Sequence, residues 1–565
     1  MRLGLALLAL GWILALGGGW AAHLVQTSGG TEVTDVRYPA PDGTQLSGLL
    51  YVPSGATPGQ KAPAVLLSHG YINTREMQSA FAIELARRGF VVLAMDMSGH
   101  GYSEGTVGAN AFGGPAAFAY LRSLPMVDGA NIGMAGHSLG GAPILFAAKA
   151  NPDGYRSMVL VGSTPGIFGA PEGEGRTFPR NLAVIFGQYD EFPDLMWQVP
   201  TGGDIVRSPR LQALFGTDAP VTPGQIYGDI AAGDARWLQV PPITHPWEHF
   251  SGSGIGTTVD WLQQTLEGET RPLPPQNQIW FWKELGTLAG LVGAVLLILG
   301  TFSALSAVTQ APAAQPRTPA RDRRWWIAFV LTGALPALTY FPFMTLGQLV
   351  SAGPLFPQQV TNQLLVWALL NGLITLVLGL VLRGPAPRFQ HRWWLSPLIA
   401  LASVGMAYAA VLACSALFTT DFRFWVLALK PLDERQLALA AVYLCPWILF
   451  FLVSHRAVAA RISLSGQSPR AEMAAWALAM SLGFVALLVL EYGALFLTGR
   501  LLTPAEPLNT IIAIQFAPLL AVIGLIGAFT YRRSNTYVPG AVICGLLITW
   551  YIVGGTATHW AASAA

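Results

Sequence analysis

The pattern of hydrophobic and polar positions divides the chain into three regions. Residues 3–22 form one apolar run behind Arg2, about long enough to cross a bilayer. Residues 31–269 alternate short apolar segments with turn residues and charges, which is typical of a soluble domain. From Trp280 onward the chain returns to long apolar segments. We therefore predict an N-terminal transmembrane signal anchor (1–24), a soluble domain (31–270) and a membrane domain (280–565).

The first apolar run has two interpretations, a secretory signal peptide or an uncleaved signal anchor. We favour the anchor because Gly19-Trp20-Ala21 is a poor cleavage site. Either interpretation sends the following domain across the membrane.

The membrane region contains eight apolar segments, each long enough to cross a bilayer. They are approximately residues 285–308, 325–346, 363–382, 393–418, 436–454, 473–497, 508–530 and 538–557. Composition agrees, because 52% hydrophobic and 11% charged residues in a chain of 565 is far more apolar than a soluble protein of this size.

Basic residues in the loops between these segments predict the orientation, because Lys and Arg concentrate in cytoplasmic loops. One alternate set of loops carries Arg317, Arg321, Arg323, Arg324, Arg383, Arg388, Arg392, Arg456, Arg461, Arg470, Arg532 and Arg533. The other set carries Arg423, Lys430, Arg435 and Arg500. The larger set predicts the inner side, which also receives the interfacial tryptophans Trp325, Trp326, Trp393 and Trp394. With Arg2 also inside, nine spans place the soluble domain and the C-terminus outside the cytoplasm.

Strands and helices alternate along the soluble domain. Residues 31–53 predict a hairpin around Pro41-Asp42-Gly43. An apolar strand over 64–67 is followed by a helix over 76–88 and a strand over 90–95. This spacing predicts an α/β fold with a mainly parallel sheet covered on both faces, followed by an all-α transmembrane bundle.

The stretch with the clearest chemistry is residues 131–141, where an apolar strand pattern runs into Gly136-His137-Ser138-Leu139-Gly140. This is the G-x-S-x-G pattern of a nucleophile elbow, in which a serine takes a strained conformation between a strand and a helix. The short pattern is common by chance, but a predicted strand over 132–135 and a predicted helix over 139–150 supply the required context. We predict Ser138 as the nucleophile.

A serine nucleophile needs a general base and a group that orients the base. A predicted strand over 181–186 leads to Asp190, which we predict as the acid. Asp194 and Asp218 are weaker candidates because no comparable strand leads into them. A predicted strand over 237–243 leads to His245, our candidate base, with His249 as the alternative and a helix over 256–266 beyond.

Two backbone N–H groups are needed for an oxyanion hole, one after the nucleophile and one after an earlier strand. Leu139 and Tyr71 are the predicted donors. Packing or hydrogen bonding is the predicted role of His69 and His137. The loop 96–105 is predicted to shape the pocket, and a metal site formed by His69, His100 and His137 is disfavoured.

We predict no cofactor. We also predict no nucleic-acid partner, because the net charge is only +2 and no basic run is interleaved with aromatics. The cysteines lie in long apolar stretches without metal-ligand or disulfide spacing, which indicates buried packing. They are Cys414, Cys445 and Cys544. The oligomeric state is left open.

Together these residues resemble the α/β-hydrolase superfamily, particularly its dienelactone-hydrolase-like and acyl-peptidase-like esterase branches. The resemblance covers about 240 residues and includes the Asp42-Gly43-Thr44-x-Leu46 entry, the His69-Gly70 turn and the loop from Asp96 to Gly105. It also includes the elbow at Ser138 and Asp190. It implies that Ser138 is acylated by an ester, thioester or amide, that His245 moves the proton, and that water releases the acyl group.

The leading hypothesis is a membrane-integral serine hydrolase that cleaves acyl esters, including lipid or lipid-linked ones, outside the cytoplasm. An acyltransferase using the same acyl-enzyme is the nearest alternative. A transporter or channel with a non-catalytic hydrolase-like sensor is a third, because eight spans exceed what an anchor needs.

Other features of the sequence remain open. Residues 164–180 and 192–230 are candidate lids. Glu491 is an intramembrane carboxyl group with either a functional or an interfacial role. Residues 422–429 are a candidate for a segment lying flat on the outer surface.

Overall fold

The computed structural model describes residues 1–307, 320–381 and 394–561. The chain divides into two compact units. The helical unit comprises Met1–Trp20, Gly286–Gly493 and Ala505–Gly554. The other unit contains the predicted hydrolase domain and is called the hydrolase unit below; it comprises Ala21–Leu285, Ala494–Pro504 and the described residues from Gly555. Five residues used above for the orientation lie outside the described residues, namely Arg317, Arg383, Arg388, Arg392 and Trp393.

The hydrolase unit is built on a nine-stranded sheet. Its strands are β1 (Glu32–Pro39), β2 (Gln45–Val52), β3 (Ala62–Ser68), β4 (Val91–Asp96), β5 (Val127–His137), β6 (Ser157–Val161), β7 (Leu182–Ile185), β8 (Ile226–Tyr227) and β9 (Arg236–Gln239). The order across the sheet is β1-β2-β4-β3-β5-β6-β7-β9-β8. All pairs from β4 to β9 are parallel, whereas β1–β2, β2–β4 and β8–β9 are antiparallel. The prediction of a mainly parallel α/β sheet is confirmed.

Helices cover the sheet and bring the strand ends together. The first seven helices are α1 (Arg2–Gln26), α2 (Ser79–Ala86), α3 (Gly114–Ser123), α4 (Gly141–Ala150), α5 (Pro193–Trp197), α6 (Pro209–Phe215) and α7 (Gly252–Thr265). Helix α3 packs with α4, and α2 packs with α7. Because parallel strands end at the same edge of a sheet, the loops after β3 to β7 and β9 converge there.

Two predicted elements differ in length from those observed. The helix expected over 76–88 begins as a 3-10 turn, Arg75–Gln78, and continues as α2 to Ala86. The strand expected over 237–243 ends at Gln239. Pro241 and Pro242 follow, and proline has no N–H to donate to a sheet ladder.

Nine further helices lie in the described residues that follow α7. They are α8 (Trp280–Ser306), α9 (Arg323–Leu338), α10 (Tyr340–Gly347), α11 (Gln359–Val381), α12 (Leu395–Phe418), α13 (Glu434–Arg461), α14 (Pro469–Thr498), α15 (Pro507–Ser534) and α16 (Val538–Gly555). Among the described residues, eight helices including α1 are long and apolar enough to cross a membrane. The count becomes nine if α9 and α10, bent by 42°, form one span. Each predicted apolar segment therefore corresponds to an observed helix or to this bent pair.

Helix α1 packs against α8 through glycines spaced seven residues apart. A Cβ added at Gly293 would lie 2.7 Å from the carbonyl oxygen of Gly11. One added at Gly300 would lie 2.8 Å from the backbone nitrogen of Leu8. Small residues allow such close backbone approach between membrane helices.

The expectation for residues 422–429 is wrong. They form a hairpin of β10 (Phe422–Phe424) and β11 (Leu427–Leu429) rather than a segment lying flat on a surface. Phe422 is fully buried, and the buried Arg423 donates from Nη2 to Asp421 Oδ2 at 2.8 Å. Glu491 is likewise buried within α14.

Candidate active site

Ser138 lies in a strained turn between β5 and α4. Its φ is +56°, which is uncommon for a residue with a Cβ. A Cβ added at Gly136 would lie 2.1 Å from Gly140 O, and one added at Gly140 would lie 2.4 Å from Ser68 O. The turn therefore requires glycine on both sides of the serine, as a nucleophile elbow does.

His245 and Asp190 form a buried pair at the same edge of the sheet. His245 Nδ1 donates to Asp190 Oδ2 at 2.7 Å, and both side chains are almost fully buried. The backbone N–H of Phe192 donates to the other oxygen of Asp190 at 2.6 Å, which fixes the carboxylate. The His245 backbone N–H donates to Glu191 Oε2 at 2.8 Å. The imidazole and its loop are thus held by two consecutive acidic residues.

The loop after β6 connects this pair to the elbow. Ser163 Oγ donates to the backbone carbonyl of Ser138 at 2.7 Å. At the preceding residue, Gly162, an added Cβ would lie 2.8 Å from His245 Nδ1 and 1.9 Å from Glu248 Oε2. Consecutive residues of one loop therefore lie against the Ser138 backbone and the His245 imidazole, which brings these two predicted site residues close together.

His137 supports the base from the elbow side. Its Nε2 donates to the backbone carbonyl of His245 at 3.1 Å, and the two rings lie 4.6 Å apart. Burial, reinforced by His245, lowers the pKa of His137 well below its usual value. His137 is therefore a neutral donor that fixes the loop carrying His245.

The pKa values around the base separate two acidic roles. Burial alone lowers the pKa of His245, but the charge and hydrogen bond of Asp190 outweigh it, so the pKa is raised. Burial and the charge of Asp190 raise the pKa of Glu248 well above its usual value. Glu248 Oε1 accepts from the Gly187 N–H at 2.7 Å. Asp190 thus suits stabilisation of an imidazolium, whereas Glu248 suits the role of a neutral hydrogen-bonding acid.

The alternative base, His249, occupies a different position. It is buried and its ring packs edge-on against His137 at 4.6 Å. Asp190 is paired with His245, the second residue after Ile243. The geometry therefore favours His245 as the base.

The predicted oxyanion donors flank Ser138. Leu139 is in the first turn after the elbow, where backbone N–H groups have no partner within the helix. On the other side, a Cβ added at Gly70 would lie 3.2 Å from Ser138 Cβ, so the Gly70–Tyr71 peptide passes beside the serine. The two peptides that carry the predicted donors therefore lie next to Ser138.

Two histidines fix the loop that carries Tyr71. His69 Nδ1 donates to the Gly70 carbonyl at 2.8 Å, and its Nε2 accepts from the Met97 N–H at 3.1 Å. His100 Nε2 donates to the Tyr71 carbonyl at 2.7 Å. Burial, reinforced by His69, lowers the pKa of His100 to about 3. Both rings therefore tie backbone groups of neighbouring loops together.

One group of side chains in the described part of the chain could hold a metal ion. Ligand atoms of His137, His245 and Glu248 lie within 4.8 Å of one another. However, His245 Nδ1 donates to Asp190 and His137 Nε2 donates to a carbonyl, so both nitrogens carry hydrogen. A cation would have to displace both hydrogen bonds, and the donor set therefore fits proton transfer better than metal binding.

Several supporting residues were not predicted. None of Glu191, Gly162, Ser163 and the fully buried Glu248 was predicted as a site residue. Two local signals could have identified them. Glu191 directly follows the predicted acid, and Glu248 is three residues after His245, a spacing that brings side chains together on a helical turn.

A family model described as the alpha/beta hydrolase fold matches residues 63–194. The match begins in β3 and includes Ser138 and Asp190, whereas His245 lies beyond it. A curated relative, a pyrethroid hydrolase of Sphingobium wenxiniae, is 30% identical over 167 residues, which are 28% of this chain. The chain spans about half, 55%, of that relative's length.

Solved structures give further likenesses. The chain is 17% identical to a dienelactone hydrolase from Anabaena variabilis, with a TM-score of 0.29, covering 42% of this chain and 99% of the other. The chain is 19% identical to an esterase from Pyrococcus furiosus, with a TM-score of 0.31, covering 42% of this chain and 92% of the other. The names describe those proteins. For this chain, the observed sheet and the family match establish a hydrolase fold in the N-terminal half followed by apolar helices, and they support a hydrolytic function.

Proposed function

We propose that this chain, an α/β-hydrolase by its fold, is a membrane-integral serine hydrolase that cleaves acyl esters. Ser138 is the nucleophile, His245 the general base and Asp190 the acid that orients it. The backbone N–H groups of Tyr71 and Leu139 form the oxyanion hole. The observation that carries the proposal is the 2.7 Å contact between His245 and Asp190 at the sheet edge that also bears the strained Ser138.

The geometry supports a two-step reaction. Ser138 Oγ forms a bond to the ester carbonyl carbon while His245 Nε2 takes its proton. The oxyanion accepts hydrogen bonds from Tyr71 and Leu139. The ester C–O bond then breaks, and the leaving oxygen takes the proton from His245, leaving an acyl-serine. Water attacks this acyl group while His245 takes its proton. The bond between Ser138 Oγ and the acyl carbon then breaks, His245 returns the proton to Ser138 Oγ, and the acid is released.

Contacts of two chain segments support a lipid or lipid-linked ester as substrate. Phe496, in the last turns of α14, packs its ring 5.2 Å from the ring of Tyr189, the residue before Asp190. His559, four residues after the end of α16, contacts Tyr71. Four residues span at most about 14 Å. Residues of the proposed site are therefore in contact with segments that continue directly from apolar helices.

The same segments support the proposed nine-span topology. Ala494–Pro504 and the chain from Gly555 belong to the hydrolase unit, so the chain returns to one side after α14 and again after α16. Between Leu285 and Ala494 this requires an even number of crossings. The number is six if α9 and α10 are one broken span, and five if they form a re-entrant loop. We therefore propose that the bent pair crosses once, with basic loops inside and the hydrolase unit outside.

A substrate panel tests the function. Full-length protein in detergent is assayed with short-chain and long-chain p-nitrophenyl esters and with a diacyl phospholipid, beside Ser138→Ala as control. We expect turnover that the control loses by about 10⁴-fold or more. Equal turnover by the folded control would refute a serine mechanism, and a preference for short, soluble esters would refute the lipid substrate.

A cysteine label tests the orientation. Asp153 has a fully solvent-exposed side chain in the hydrolase unit, so Asp153→Cys offers a reactive thiol. We expect an impermeant maleimide to label it in intact cells beyond the background of the unsubstituted chain. Labelling that requires cell lysis would place the hydrolase unit in the cytoplasm.

A further inference from the structure

The chain that follows α16 is part of the hydrolase unit. Thr558 forms two backbone hydrogen bonds with the loop after β4. Its carbonyl accepts from the Val107 N–H at 3.0 Å, and its N–H donates to the Gly99 carbonyl at 2.8 Å. A Cβ at Gly99, whose φ is +75°, would lie 2.8 Å from the Thr558 carbonyl oxygen. The loop is thus shaped to accept this segment.

This docking brings His559 to the side chain of Tyr71. The Tyr71 hydroxyl and His559 Nε2 are 2.6 Å apart, and the rings meet edge-on with centroids 5.6 Å apart. His559 Nδ1 lies 3.2 Å from the Ala557 carbonyl, which can only accept. Nδ1 therefore carries the hydrogen, and Nε2 accepts from the Tyr71 hydroxyl. Burial lowers the pKa of His559, so the ring remains neutral and able to accept.

Tyr71 is consequently held at two points, both of them beyond its Cα as seen from the backbone N–H. His100 ties its carbonyl, and His559 ties its hydroxyl. The peptide that joins Gly70 to Tyr71 passes beside Ser138. Rotation of that peptide would turn the N–H away from a developing oxyanion, and each tie opposes such rotation.

We propose that His559 is a positioning residue for the oxyanion hole, acting through the hydroxyl of Tyr71. The inference rests on the proposed function, because Tyr71 matters in this way only if its N–H stabilises an oxyanion. Loss of a whole oxyanion donor costs about 10²–10³ in kcat. Loosening one donor should cost less, about tenfold, and should fall on kcat rather than on KM.

The first test compares three full-length variants with the wild type on the best ester of the panel. In His559→Ala we expect kcat about tenfold lower and KM within about twofold. His559→Gln should recover much of the loss, because its side-chain oxygen can accept from the Tyr71 hydroxyl. Thr558→Ala is the matched control, since both hydrogen bonds of Thr558 are made by the backbone that alanine retains; we expect wild-type turnover.

The second test is a double-mutant cycle with Tyr71→Phe, which removes only the hydroxyl. If His559 acts through that hydroxyl, each single change costs a similar factor and the double variant costs no more than either. Three outcomes would overturn the inference while leaving Ser138-dependent turnover intact. The losses in kcat of the two single variants could multiply in the double variant, His559→Ala could keep the wild-type kcat, or Thr558→Ala could be as slow as His559→Ala. Failure of the proposed function would look different, because the wild type itself would show no turnover that depends on Ser138.

Discussion

On the base side of the proposed site, three buried carboxyl groups surround one imidazole, whereas on the oxyanion side the loops are held by histidines and backbone. Asp190 and Glu191 accept hydrogen bonds from His245, and Glu248 lies close to the imidazole. On the other side, the acid closest to the His69 ring is Asp96, which pairs with Arg75.

This difference matches the charges that the proposed reaction develops. A positive imidazolium forms at His245, where the charges of Asp190 and Glu191 stabilise it. A negative oxygen forms beside Tyr71 and Leu139, where an unpaired carboxylate would oppose it. The two sides of the proposed site therefore suit opposite charges. This assignment can be tested one side chain at a time.

The largest expected effect distinguishes the two candidate bases. His245→Ala removes the imidazole paired with Asp190 and should lower kcat by about 10⁵–10⁶. His249→Ala removes a ring that packs against His137 and should change kcat by less than about tenfold. Steady-state kinetics on a purified ester decides between them. If only the second variant is inactive, the assignment of the base side is wrong.

The next effect concerns pH. His245 must be neutral to accept a proton, and its pKa is raised above the ordinary 6.5. We therefore expect kcat/KM to fall as pH drops, with a midpoint above 6.5. In Asp190→Asn the raising influence is lost and burial remains, so the midpoint should move to lower pH while the plateau falls by about 10⁴. A pH–rate profile with an unmoved midpoint would show that Asp190 is not the partner that sets this pKa.

The smallest effect separates charge from hydrogen bonding at Glu248. Its raised pKa indicates a neutral acid, which glutamine imitates in shape and hydrogen bonding. Glu248→Gln should therefore keep turnover within about threefold. Glu248→Ala leaves the buried Gly187 N–H without its acceptor and should cost about 1–3 kcal/mol of unfolding free energy. Thermal or denaturant unfolding of both variants measures this, and equal losses would indicate that Glu248 acts as a charge.

Local sequence predicted those parts of the site that depend on neighbouring residues. The elbow at Ser138 follows from its flanking glycines, and Asp190 and His245 follow from strands that lead into them. The fold class follows from the alternation of strands and helices. Each signal is contained within about ten residues, so the sequence alone reveals it.

Contacts between distant residues could not be predicted in this way. Tyr71 and His559 are 488 positions apart, and no periodicity relates them. Gly162 matters only because β6 lies beside β5, a pairing that the sequence does not specify. The hairpin at residues 422–429 depends on burial of Phe422 and on the Arg423–Asp421 pair, neither of which the local pattern of the segment reveals.

The most direct test of the central claim is covalent labelling of Ser138. Full-length protein is treated with a fluorophosphonate, and the modified peptide is identified by mass spectrometry, with Ser138→Ala as control. We predict one adduct, on Ser138, absent from the variant and suppressed by prior incubation with an ester substrate. No adduct on folded wild-type protein, or an adduct that persists in Ser138→Ala, would contradict the account.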